Sequence, residues 1–179
     1  KHTFATVVAS IKRLNPNKTG AADQPCWYSA CTKCGKKALG DELSGFNCEN
    51  CNISSPTCTY KYVLRAEIND ASGASYVTAF ADQATALVGK TADEMKPLKD
   101  SDPDAYTAVM NAANFKRYRM RLRIEEESYQ DVARLRYRLM GVKPVVAKDY
   151  GKELLAEIAK YDLPEETTPA PATEGADAS

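Results

Sequence analysis

Residues 26–58 read CWYSACTKCGKKALGDELSGFNCENCNISSPTC, and the two C-x-x-C pairs inside them, Cys31-Thr-Lys-Cys34 and Cys48-Glu-Asn-Cys51, decide how the rest of the chain is read. A C-x-x-C knuckle sets two thiolates on one side of a tight turn, and two facing knuckles supply four sulfurs at roughly 2.3 Å from a tetrahedral ion. Gly35, directly after Cys34, suits the chain reversal that a knuckle requires. The expected ion is a structural zinc held by Cys31, Cys34, Cys48 and Cys51, because four protein thiolates leave no open position for a reactive water. A rubredoxin-type iron uses similar ligands, and four metal-free buried thiols are the remaining alternative. A thioredoxin-like redox pair wants one C-x-x-C after a strand and opening a helix, a context this turn-rich segment lacks. Lys33, Lys36 and Lys37 stand close enough in sequence to soften the net negative charge of a tetrathiolate. Cys26 and Cys58 have no partner at ligand spacing and read as buried or spectator thiols.

Outward from this segment the chain reads as strands. Thr3–Leu14 is rich in β-branched and apolar residues, and a turn-rich connection over Asn15–Pro25 leads to the cysteines. After them Tyr60, Tyr62, Leu64, Ala66 and Ile68 alternate with Lys61, Val63, Arg65 and Glu67, the period of a half-buried strand. A turn at 69–73 and a strand at Ser75–Ala81 complete a hairpin, and Asp82–Val88 reads as a short helix stopped by Gly89. Thr91-Ala-Asp-Glu94 has capping-box spacing and Asp102-Pro103 repeats a helix-start signal, so helical structure is expected over 91–113. Two strands follow, Phe115–Glu125 and Val132–Val142, joined by a polar connection over Glu126–Asp131.

Five strands with helices between the third and fourth follow the plan of an OB-type Greek-key barrel, although other small barrels share the pattern. The expected fold class is mainly β: a five-stranded OB-fold barrel over 1–146, with a four-cysteine zinc ribbon inserted at about 26–58. A C-terminal amphipathic helix over 147–162 carries Tyr150, Leu154, Leu155, Ile158 and Tyr161 on one apolar face. That stripe requires either a partner from outside or a return onto the barrel. The Thr/Pro/Ala/Glu composition of 163–179 predicts a disordered acidic tail.

Lys plus Arg and Asp plus Glu both number 24, yet five of the acids lie after Tyr161, so residues 1–161 carry 24 basic against 19 acidic side chains. No leader peptide is visible, which favours metal over disulfides as the use of six cysteines, and the apolar runs are too short to span a bilayer. The basic excess concentrates in the last two strands. Arg117, Arg119, Arg121 and Arg123 alternate with apolar residues in one, and Arg134, Arg136 and Arg138 do so in the other. A hairpin of these strands would set up to seven arginines on one sheet face, which destabilises a sheet unless something neutralises them. A phosphate backbone would do so, and so in part would Glu125 to Glu127; a solvated face paired with those acids is the simpler alternative.

Non-specific single-strand binding needs a cationic groove and flat faces on which bases stack. Tyr76 and Phe80 share one strand face with Thr78, although Phe80 also suits an ordinary core. Tyr129 falls between the last two strands, where OB-folds commonly grip ligand. Catalysis finds no support: His2 is the only histidine, and no Ser/His/Asp set, phosphate-cradling glycine loop or H-E-x-x-H is present, so the chain is read as a non-enzyme.

The order Tyr28-Ser-Ala-Cys31, Cys34-Gly-Lys-Lys37, Phe46-Asn-Cys48-Glu-Asn-Cys51, Tyr60-Lys-Tyr62, Tyr76-Val-Thr-Ala-Phe80, Asn114-Phe115 and Val142-Lys-Pro144 resembles the C-terminal DNA-binding domain of replication protein A large subunits. The resemblance covers nearly all of residues 1–161 and leaves out the tail. It implies a zinc ribbon inserted in an OB-fold, a nuclear location, a single-stranded-DNA ligand, and assembly with two smaller subunits of a heterotrimer through the C-terminal helix. Under it, Cys31, Cys34, Cys48 and Cys51 match the zinc ligands and Tyr76, Phe80 and Tyr129 the base-stacking aromatics. Lys36, Lys37, Arg121, Arg123 and Arg136 are assigned to the same DNA contact, and Tyr150, Leu154, Leu155, Ile158 and Tyr161 to the subunit interface. Tyr76 stands where some members carry tryptophan, a larger platform. A structural assembly module, with DNA bound mainly by other domains, is the alternative function.

Overall fold

A computed structural model describes residues 2–15, 25–129 and 132–161, with Tyr129 and Val132 described by backbone alone. The expected connection before the cysteines therefore falls largely outside the described residues, as does the expected tail. Among the described residues, no helix is long and apolar enough to cross a membrane.

Five long strands form the barrel: β1 (His2–Asn15), β6 (Thr59–Asp70), β7 (Gly73–Phe80), β8 (Arg117–Tyr129) and β9 (Val132–Pro144). Their order is β1-β8-β9-β7-β6, and β6 pairs again with β1, so the sheet closes on itself. The pairings are antiparallel except β7 with β9, where Val77 and Thr78 lie parallel to Tyr137 and Arg138. Closure removes the exposed sheet edges, and this strand order is that of an OB-fold.

Between the first and second barrel strands lie four short ones: β2 (Trp27–Ala30), β3 (Leu39–Asp41), β4 (Gly45–Cys48) and β5 (Ile53–Ser55). β2 pairs with the first residues of β6, Trp27 opposite Tyr62, while β3, β4 and β5 form a separate three-stranded sheet. Gly40 is required there. Its φ is +121°, and a Cβ at this position would stand 2.0 Å from the carbonyl oxygen of Gly45, a backbone atom that cannot swing away.

The apolar face of each barrel strand points inward. Ile11, Leu64, Met120, Leu139 and Val77 are almost fully buried, and Trp27 packs edge-on against Tyr62 and Tyr106. The helices α1 (Ala81–Val88), α2 (Ala92–Ser101) and α3 (Pro103–Asn111) add Leu87, Met95, Tyr106 and Met110 to the same core. Their ends follow the local signals. Gly89 stops α1 with φ 82°, the Thr91 and Glu94 side chains complete a reciprocal capping box, and Asp102 accepts the Ala105 N–H ahead of Pro103. The helical run expected over 91–113 is thus two helices, because Asp102 ends one and caps the next.

Three expectations need correction. The fourth barrel strand begins at Arg117, not Phe115, because Phe115 has φ 64° and its N–H turns to the Ile11 carbonyl. The polar stretch expected as a connection over 126–131 is strand as far as Tyr129, since Glu125 and Glu127 stand opposite Arg136 and Arg134 and their charges attract across the ladder. Only residues 130 and 131 separate β8 from β9, and they lie outside the described residues. Finally, Glu67 belongs to the face opposite the apolar residues of a half-buried strand, where exposure is expected, yet it is only 7% exposed, paired with Lys12 and Arg13 where β1 bulges between Ile11 and Arg13.

A second unit starts at Val146. Its helix α4 (Ala147–Ile158) has no buried residue, and Leu154, Leu155, Ile158 and the following Tyr161 are exposed.

Candidate metal centre and nucleic-acid interface

Cys31 and Cys34 lie on the turn after β2, Cys48 ends β4, and Cys51 follows on the turn toward β5. Their four Sγ atoms all lie within 4.8 Å of one another, and Cys34 and Cys48 are 3.6 Å apart. A tetrahedron with sulfur bonds of roughly 2.3 Å has edges of about 3.8 Å, so this donor set fits a tetrahedral ion. The first knuckle is closed by the Gly35 N–H donating to the Cys31 carbonyl and the Cys31 N–H donating to the Lys36 carbonyl, each at 2.8 Å.

The two thiols of the first knuckle are shifted toward the thiolate that a cation requires. The Lys36 amide, above all, lowers the Cys34 thiol to about 6, and the Cys34 amide lowers that of Cys31. Cys51 moves the other way, to about 11, first through its hydrogen bond to Cys34 and then through desolvation. Neighbouring thiolates hold a shared proton when nothing positive stands between them, and a divalent ion at the centre removes that conflict. Lys36 Nζ donates to the side-chain Oδ1 of Asn50 and so links the two knuckles. Lys61 lies over the first knuckle, its Nζ 2.5 Å from where a Gly35 Cβ would stand; sequence reasoning did not single it out. Cys26, outside the cluster, is fully buried 3.9 Å from the Tyr106 hydroxyl, and burial pushes its thiol to about 11.

The second feature is a groove of about 480 Å3 on the outer face of β6, β7 and β9. It brings together Tyr76, Phe80 and Arg136 of the predicted contacts, and adds Arg65, Thr78 and Arg138. Each aromatic ring has a guanidinium over it: Arg65 at 4.0 Å from the Tyr76 centroid and Arg138 at 5.1 Å from that of Phe80. Arg123 adjoins the groove through Glu125, which bonds Arg123 at 2.7 Å and Arg138 at 3.8 Å, while Arg136 meets Glu127 at 2.9 Å. The seven arginines do share a face by register, and part of their charge is met by acids on that same face. Arg121 lies farther round the barrel, over Phe4, and Lys36 and Lys37 belong to the ribbon. The Tyr129 side chain lies outside the described residues.

Sequence reasoning missed what holds Tyr76. Its hydroxyl accepts from Arg13 at 3.4 Å and lies 3.5 Å from the Glu67 carboxylate, which also meets the Lys12 ammonium at 2.8 Å and Arg13 at 3.2 Å. The Lys12 hydrogen bond, chiefly, holds the Glu67 carboxyl below its ordinary value of 4.5. A carboxyl depressed on folding stabilises the fold above its unfolded pKa, and that contribution disappears as pH falls through the lower folded value. Glu67→Gln is therefore expected to be less stable than the parent at pH 7, and the gap between them to close below about pH 4.5. Denaturation midpoints measured from pH 3 to 7 check this; curves that coincide at every pH would remove the cluster from the account.

A closed barrel of this strand order, carrying a four-thiol ribbon between its first and second strands, defines a ribbon-bearing OB-fold protein. The chain belongs to the replication factor-A C-terminal domain family, whose model matches residues 4–154. It is 34% identical over 159 residues to the mouse replication protein A 70 kDa DNA-binding subunit, covering 88% of this chain and 24% of that one. It is 36% identical over 154 residues to a probable replication factor A 73 kDa subunit of Caenorhabditis elegans, covering 86% and 23%. The chain thus spans about a quarter of the length of these curated relatives. Among solved structures, a replication protein A heterotrimer bound to ssDNA superposes with a TM-score of 0.78 at 28% identity, over 88% of this chain and 35% of that one. Yeast RPA bound to ssDNA gives 0.74 at 28% identity, over 88% and 85%.

Proposed function

We propose that this chain is a non-enzymatic single-stranded-DNA-binding module of a replication protein A-type heterotrimer, acting in the nucleus to protect single strands during replication, repair and recombination. The observation that carries this reading is the groove in which Tyr76 and Phe80 flank Thr78 among Arg65, Arg136 and Arg138. Aromatic faces accept any base and arginines accept phosphate, so such a groove takes a strand without reading its sequence. Relatives named as DNA-binding subunits and structural neighbours bound to ssDNA support the same ligand.

Under this reading Cys31, Cys34, Cys48 and Cys51 hold zinc, the commonest partner of four tetrahedral thiolates, and its role is structural. Residues 1–146 are the binding domain. Residues 147–162 are the oligomerisation helix, where Tyr150, Leu154, Leu155, Ile158 and Tyr161 meet two smaller subunits.

The test is a fluorescence-anisotropy titration of the zinc-loaded chain with labelled oligo-dT and a matched duplex at two salt concentrations. Tighter binding to the single strand is expected, with log affinity falling by about 0.7 per log unit of salt for each phosphate neutralised. Equal affinity for both forms would overturn the reading. A second function, heterotrimer assembly, is favoured by the exposed stripe of α4. Charged substitutions at Leu155 and Ile158 separate the two, since they remove assembly and leave strand binding.

A further inference from the structure

The outer face of the barrel carries a third aromatic ring under an arginine. Phe4, on β1, is 47% exposed, and the Arg121 guanidinium lies 5.1 Å from its ring centroid. The composition is that of Tyr76 with Arg65 and of Phe80 with Arg138. Phe4 is not a displaced core residue: alternate β1 residues Val7, Ala9 and Ile11 pack inward, whereas Phe4 stands opposite Arg123 on the outward side.

Strand register connects this ring to the groove. Arg65 pairs with Thr78, Thr78 with Arg138, Arg138 with Arg123, and Arg123 with Phe4, a single row running across β6, β7, β9, β8 and β1. Partners in a row share a face, so all five side chains point outward. The row has aromatic rings at both ends, Tyr76 and Phe80 flanking Thr78 at one and Phe4 at the other, with two arginines between. Three strand spacings, about 14 Å along the barrel surface, separate Thr78 from Phe4. On one flank of the row Glu125, Glu126 and Glu127 lie beside His2 with Arg136 among them, its charge met by Glu127 at 2.9 Å; the other flank carries Arg121, opposite Thr6 and Gly141. The arginines of the first flank are matched by acids, whereas Arg121 has no acid across from it, so the phosphates of a strand leaving the groove are drawn toward Arg121 and Phe4.

We propose that Phe4, with Arg121 over its ring, is a further base-stacking subsite for single-stranded nucleic acid. It is reached by the same strand that fills the Tyr76 and Phe80 groove, after that strand crosses Arg138 and Arg123. The subsite rests on the single-strand reading of that groove.

The test titrates oligo-dT of increasing length against the full zinc-loaded chain and its Phe4→Leu, Phe4→Trp and Tyr76→Ala variants. Phe4→Leu keeps an apolar, strand-compatible side chain at an exposed position and removes only the π face. It is expected to weaken binding by about 5- to 150-fold for oligonucleotides long enough to span both sites. The shortest oligonucleotide held by the groove should bind it as it binds the parent, and Phe4→Trp should restore the long-oligonucleotide affinity. If Phe4→Leu binds every length like the parent while Tyr76→Ala is weakened, the Phe4 subsite is wrong and the groove stands. Equal weakening at every length, or no rescue by tryptophan, also overturns a separate stacking subsite. Parent-like binding by both Phe4→Leu and Tyr76→Ala would overturn the groove reading itself.

Discussion

Stripping the metal with a chelator, or replacing Cys48 with serine, is expected to unfold the ribbon and leave the barrel standing. The ribbon cannot hold itself together by burial. Past Trp27, which belongs to the barrel core, its buried side chains are Ala30, Cys31, Ala38, Phe46 and Cys48, two of them from the four-thiol cluster, and none of these five packs into the barrel. Burying Phe46 contributes about 1.5–3 kcal/mol, whereas ordering each residue's backbone costs roughly 1–2 kcal/mol. A structural zinc contributes on the order of 10–16 kcal/mol in small finger peptides, several times what burial of Phe46 supplies. Cys48 is the most consequential of the four cysteines to replace because it is nearly fully buried and is the last residue of the central ribbon strand. Hydrogen exchange read by mass spectrometry should lose protection over residues 31–55 on chelation and keep it in β1, β6 and β8. Retained protection in the ribbon would mean that the metal is not its support. Loss of the ribbon also releases Glu42, which links its tip to α2 through Lys96 at 2.7 Å and to β6 through the Tyr60 hydroxyl at 3.2 Å. These contacts are exposed and of little weight by themselves.

Alanine at both Tyr76 and Phe80 should produce the largest loss of single-strand affinity. Each stacked base is worth about 1–3 kcal/mol, which is about 5- to 150-fold per ring. The two rings flank Thr78 in one groove, so the double variant is expected to fall short of the sum of the single ones. Neither ring is charged, and the dependence of affinity on salt should therefore stay at the parent slope. Arg138→Ala should act differently, with the slope reduced by about 0.7 for one lost phosphate contact. Anisotropy titrations at three salt concentrations distinguish the two effects. Tyr76→Phe adds a control, since it keeps the stacking face and loses the hydroxyl contacts with Arg13 and Glu67. A double alanine variant that binds like the parent would mean that the rings are not platforms.

Several parts of this molecule were legible because their causes are local. The paired knuckles need only their own turns, and the capping box at Thr91 and the Asp102 cap join groups three residues apart. Alternation separated Leu64, Ala66 and Ile68 from the solvated face and set Tyr76 and Phe80 on one face and the arginines on another, but left open whether Phe80 lies in the core; the fold puts it in the outer groove. The buried Glu67 was not legible, because its burial depends on a bulge in β1, more than fifty residues away in sequence. The true length of the last hairpin was missed for a similar reason. Glu125 to Glu127 have the composition of a loop, and only their register against Arg134 and Arg136 makes them strand.

The four-cysteine cluster, the five-strand plan, most helix ends and the residue types on each strand face could be read along the chain, since those follow from short-range spacing and a period of two. Which of those residues meet depends on the closed fold. It set Arg65 over Tyr76, laid Phe4 in one row with Arg123, Arg138 and Thr78, and matched acids to part of the arginine face. The physical reason is closure. A barrel links every strand's register to those of its neighbours, and a register is a long-range quantity that bulges in β1 and near Gly141 shift by whole residues.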